Sequence, residues 1–90
     1  MNKADLITEI AEKAQVTKAV GTRVLDATLE SIVTALKAGK RVPLVGFGTF
    51  EVRNRAARKG RNPRTGQEIM IPAAKVPSFK AGKKLKETIQ

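Results

Sequence analysis

Apolar and polar positions follow a helical period over the first forty residues and a two-residue period beyond them. Leu6, Ile7, Ile10, Ala11 and Ala14 fall on one side of a 3.6-residue repeat, leaving Lys3, Glu9, Glu12 and Lys13 mainly toward solvent. Asn2 is placed to cap this first helix, and Asp5 lies in its first turn. Thr17 is a second N-cap, and a long helix is predicted from Lys18 to about Ala38, where Gly39 supplies the stop. Gly21 inside it costs ~1 kcal/mol of helix propensity against alanine. This second helix is apolar over more than one stripe, with Val20, Val24 and Ala27 on one side and Leu25, Leu29, Ile32, Val33 and Leu36 on another. Only a narrow arc with Arg23, Asp26, Glu30 and Lys37 is polar. One short helix and a few strands cannot cover so wide a surface, so a second copy of the chain is expected to complete the core.

From Arg41 to Val52 the chain alternates and is rich in β-branched and aromatic residues, and with Gly46 and Gly48 it reads as a hairpin. Basic and small residues then lead to Asn62-Pro63-Arg64-Thr65-Gly66, a turn sequence with proline at its second position. Gln67 to Val76 is the returning strand. Val76-Pro77 is expected to end it, and Ser78 to cap a final helix with Leu85 and Ile89 on one face and Lys80, Lys83 and Lys84 on the other. The predicted organisation is one α+β domain spanning 1–90: a helical region over 1–40, a sheet over 41–52, a β-ribbon arm over 53–76 and a C-terminal helix over 77–90.

Charge sharpens this picture. The net charge of +10 points to a polyanionic partner, and it is concentrated: residues 1–40 hold six Lys/Arg against five Asp/Glu, residues 41–90 twelve against three. The absence of cysteine and histidine removes disulfides, thiolate metal sites and the commonest general base. The acids Asp5, Glu9, Glu12, Asp26 and Glu30 read as ordinary helix-surface charge, and no nucleophile–base pair is evident. No catalytic, cofactor or metal residue is therefore assigned. Gly46-Phe47-Gly48 lacks the third glycine and the helix of a nucleotide-binding loop. Neither a signal-like apolar start nor a run near ~20 apolar residues is present, so a soluble, intracellular protein is expected.

Between Arg53 and Arg64 stand six cations, Arg53, Arg55, Arg58, Lys59, Arg61 and Arg64, and no acid. Five are arginine, whose planar fork suits phosphate oxygens and a narrow minor groove. Alternation places Arg53, Arg55, Lys59 and Arg61 on one face and Arg58 on the other, unless a bulge near Ala56-Ala57 shifts the register. About ten residues per strand at ~3.3 Å rise give an arm of roughly 30 Å. A solvated edge hairpin that uses charge against aggregation is the bland alternative, and the arginine bias argues against it. Proline in a turn needs no functional cause, yet Pro63 lacks an N–H and could enter a base step as a wedge. Phe47, Phe50 and Phe79 are most simply core, leaving no platform for unstacked bases.

Gly46-Phe47-Gly48-Thr49-Phe50, Arg58-Lys59-Gly60-Arg61-Asn62-Pro63-Arg64-Thr65-Gly66 and Val76-Pro77-Ser78-Phe79-Lys80-Ala81-Gly82 closely resemble the bacterial HU family of histone-like DNA-binding proteins, over essentially the whole chain. The resemblance implies an intertwined dimer with a helical base, a small antiparallel sheet and two protruding β-ribbon arms. It implies little sequence preference, DNA bending and compaction, and a cytoplasmic, nucleoid-associated location. By position, Arg55, Arg58 and Arg61 would line the minor groove, Pro63 would intercalate, and Lys3, Arg53, Lys75, Lys80, Lys83 and Lys86 would engage phosphates. Gly46 would allow close approach near the arm's base. Lys59, Asn62 and Arg64 complete the candidate DNA contacts. A homodimer is expected, a heterodimer with a paralogue being the variant. Two rival readings stay open: a site-specific bender resembling integration host factor, and a basic RNA-binding protein.

Overall fold

The computed structural model describes all 90 residues, in two compact units, Met1–Ala35 and Leu36–Gln90. Helix α1 spans Lys3–Ala14. Its start is a reciprocal capping box: the Asp5 N–H donates to Asn2 Oδ1 at 2.9 Å and the Asn2 N–H donates to Asp5 Oδ2 at 3.2 Å. It ends at Gln15, in the left-handed region at φ +56°, with the Val16 N–H donating to the Ala11 carbonyl. Helix α2 spans Lys18–Lys37, capped by Thr17 Oγ1, which accepts from the Val20 N–H at 3.2 Å. The Gly39 N–H closes its far end on the Leu36 carbonyl.

Gly21 has a role that propensity alone does not reveal. It is the buried residue of α2, and a Cβ there would lie 3.4 Å from the Ile7 carbonyl oxygen and 3.7 Å from Ala11 Cβ, so this is where α1 comes against α2. Ala11 is its buried counterpart on α1. The rest of α2 remains open: Val24, Leu29 and Val33 are 51%, 47% and 49% exposed. Thr28 and Ser31 turn their hydroxyls onto the Val24 and Ala27 carbonyls, so these donors are satisfied within the helix itself.

In the second unit, strands β1 (Val42–Leu44), β2 (Gly48–Arg55) and β5 (Ala74–Ala81) form an antiparallel sheet in the order β1-β2-β5. The turn between β1 and β2 closes by the Phe47 N–H donating to the Leu44 carbonyl, with Gly46 at φ +82°. Phe50 lies opposite Phe79, ring centroids 4.8 Å apart, and Phe47 adds a third ring 5.5 Å from Phe79. Gly48 is buried beneath this cluster because nothing larger fits: a Cβ would meet both the Lys80 carbonyl oxygen and the Phe79 ring at 2.5 Å. Strands β3 (Arg58–Arg61) and β4 (Glu68–Ile71) form a separate two-stranded ribbon.

The expected C-terminal boundary is corrected. Val76-Pro77 does not end the strand and Ser78 does not cap a helix; β5 runs on through Ala81, and α3 spans only Lys83–Ile89 with Gly82 as its N-cap. Proline is tolerated because β5 is an edge strand of its sheet, where one N–H can be lost without breaking a central ladder. Phe79 then needs strand geometry to face Phe50. Lys80 consequently belongs to the sheet, not to a helical face. No helix is long and apolar enough to cross a membrane, and the architecture as a whole is α+β.

Candidate nucleic-acid interface

The arm is a ribbon in a single register. Gly48 pairs with Ala81 and Arg55 with Ala74, and after a gap Arg58 pairs with Ile71 and Arg61 with Glu68, each pair of numbers adding to 129. Two residues therefore face two across the gap, Ala56 and Ala57 against Pro72 and Ala73, with no extra residue inserted. The expected alternative of a bulge at Ala56-Ala57 does not arise. Pro72 supplies the reason for the gap, since it has no N–H to give to the ladder. Arg55 and Arg58, which alternation assigns to opposite faces, both border a hollow of about 350 Å³ at this break, together with Ile71, Pro72 and Val76. Without ladder bonds the local twist is free to bring them there.

At the tip, the Asn62 N–H donates to the Gln67 carbonyl at 2.9 Å, extending the same register by one more pair. Asn62 then organises the turn from both its ends. Its carbonyl accepts from the Gly66 N–H at 2.8 Å, and its Oδ1 accepts from the Arg64 N–H at 2.9 Å. Between these bonds Pro63 is held exposed at the extremity of the ribbon.

The electrostatics divide the candidate residues into two groups. Arg55, Arg58, Lys59, Arg61, Arg64, Lys75 and Lys86 have no carboxylate within 4.0 Å, so the arm's cations beyond Arg53 are uncommitted. The others are paired: Lys3 with Asp26 at 2.8 Å, Arg53 and Lys80 with Glu51 at 3.9 and 4.0 Å, and Lys83 with Glu87 at 4.0 Å. The pairs exposed on both sides, Lys3 with Asp26 and Lys83 with Glu87, are worth roughly 0–1 kcal/mol and yield readily to another anion. Lys83 and Lys86 lie on α3, whereas Gly46 sits in the β1–β2 turn. Two features escape sequence reasoning. Pro72 carries a readable signal, a proline in the returning strand; the cluster around Glu51 does not, because it depends on strand register.

Comparison with known proteins agrees with this geometry. The family model described as bacterial DNA-binding protein matches residues 1–90. DNA-binding protein HU of Staphylococcus aureus is 59% identical over 90 residues, covering 100% of both chains. DNA-binding protein HU-beta of Pseudomonas aeruginosa is 61% identical over 89 residues, covering 99% of each. Among solved structures, Anabaena HU in a cocrystal with DNA superposes with a TM-score of 0.91 at 52% identity, covering 99% of this chain and 97% of that one. A full-length family match, high identity and a shared α+β fold with a β-ribbon arm together place this chain in the HU family of bacterial DNA-binding proteins.

Proposed function

We propose that this protein is a non-enzymatic architectural protein of duplex DNA, which bends and compacts the duplex with little regard to sequence and works in the nucleoid. The observation that carries this reading is the arm: five cations from Arg55 to Arg64 with no carboxylate in reach, on a ribbon whose extremity is an exposed proline. Arg55, Arg58 and Arg61 line the minor groove, where the potential is most negative in narrow tracts and a planar guanidinium is easily desolvated. Lys3, Arg53, Lys75, Lys80, Lys83 and Lys86 neutralise backbone phosphates, with Lys59 and Arg64 adding to the arm's field. Gly46 lets the backbone come close near the arm's base.

Pro63 enters a base step and kinks the duplex. Unstacking costs a few kcal/mol, offset by the interactions that the bend permits. Two arms are needed for a clamp, and they come from an intertwined homodimer whose second copy covers the open apolar face of α2. The Anabaena HU–DNA cocrystal supports the assignment of duplex DNA as partner. The test is fluorescence energy transfer across an end-labelled duplex. Pro63→Ala should keep most of the affinity while the bend angle falls; an unchanged angle removes the wedge from the mechanism.

A further inference from the structure

Glu51 occupies an unusual position in the sheet. It lies on β2, the central strand, and three cations converge on it: Arg41 at 3.6 Å, Arg53 at 3.9 Å and Lys80 at 4.0 Å. Register explains the convergence. The β1–β2 ladder pairs Val42 with Phe50, so one step further Arg41 comes opposite Glu51. Lys80 faces Thr49 and is thus diagonal to Glu51 on the same side, and Arg53 is two residues along that face. The Glu51 side chain is only 17% exposed, against 69%, 61% and 64% for the three cations. An ordinary surface pair, such as Lys83 with Glu87, joins one exposed acid to one exposed base.

We propose that Arg41, Arg53 and Lys80 form a single phosphodiester-binding site at the base of the arm, with Glu51 as an internal counter-anion that holds the place of the DNA phosphate. This rests on the DNA-binding reading above, and it adds Arg41 and Glu51 to the interface. None of the three cations is close enough to hydrogen-bond Glu51, so the donors of both guanidinium groups and the ammonium remain available to phosphate oxygens. Without DNA, one carboxylate relieves the mutual repulsion of three cations. With DNA, the phosphate takes over that task, and Glu51 now opposes it from beneath. The cost of keeping the cations gathered is a weaker hold on the duplex.

The test is a fluorescence-anisotropy titration of a labelled random-sequence duplex with the full chain at low salt. Glu51→Gln should tighten binding by roughly three- to tenfold, the scale of one to two weak ion pairs. Glu51→Asp, which keeps the charge, should stay near wild type. Glu9→Gln on α1 makes the same change in net charge and should tighten binding less. Arg41→Gln should cost more affinity in the Glu51→Gln background than in wild type, because its charge is no longer partly neutralised. Without DNA, Glu51→Gln should melt at lower temperature at low salt, the difference shrinking as salt rises. If Glu51→Gln merely matches Glu9→Gln, or if the Arg41 and Glu51 effects simply add, the counter-anion role is overturned while the DNA-binding reading stands. Wild-type protein that fails to bind the duplex overturns both.

Discussion

A methyl group added at Gly48 would press at 2.5 Å on the Lys80 carbonyl oxygen and the Phe79 ring, whereas one added at Gly21 would approach α1 at 3.4–3.7 Å. The two glycines should respond oppositely to alanine. Gly48→Ala forces β5 and its aromatic cluster apart and should cost about 1–3 kcal/mol, the usual range for overpacking. Gly21→Ala meets only ordinary van der Waals neighbours, so helix propensity decides, and it should stabilise by up to ~1 kcal/mol. Thermal unfolding of both variants checks the pair: a fall for Gly48→Ala and a rise for Gly21→Ala. The sequence shows only the propensity penalty at Gly21, because a close approach between helices is a tertiary fact. At Asn2 and Thr17, by contrast, caps are local chemistry, and both are legible.

Elements are legible where their signals are local and misleading where a tertiary role outweighs a local rule. Both helices of the first unit, the β1–β2 hairpin and the Asn62–Gly66 turn follow from period, caps and turn residues. Pro77 reads locally as a strand stop, but it lies on the edge strand β5, and the pairing of Phe79 with Phe50 extends the strand beyond it. Pro72 acts in the way proline is expected to act, and the ladder lapses there on both strands. This break should behave as a hinge in the arm. The amides of Ala56 and Ala57 should exchange with solvent faster than those of Arg53 and Arg55, and Pro72→Ala, which restores a donor, should slow them. Equal exchange along the whole of 53–61 in the wild type would show the ribbon to be continuous.

For the molecule as a whole, two surfaces carry the functional reading: the open apolar face of α2 and the cations of the arm. The open face of α2, with Val24, Leu29 and Val33 about half exposed, is the surface that the proposed second copy would cover. Sedimentation at micromolar concentration should give twice the chain mass, and the melting temperature should rise with protein concentration, as it does when folding and association are coupled. A stable monomer with a concentration-independent melt would leave that face unexplained. The wide apolar surface of α2 is legible in the sequence, and so is the arm, from its run of arginines. What the sequence does not reveal is which cations are already paired, and only the register resolves that around Glu51. The uncommitted arginines of the arm are proposed to hold the phosphate-rich duplex, and a salt titration is the decisive measurement. Affinity for a nicked duplex should fall steeply with salt, and replacing Arg55, Arg58 and Arg61 together with alanine should weaken binding and flatten the log–log slope by about 0.9 for each phosphate no longer neutralised. Unchanged affinity and slope in that variant would show that these arginines do not hold the duplex.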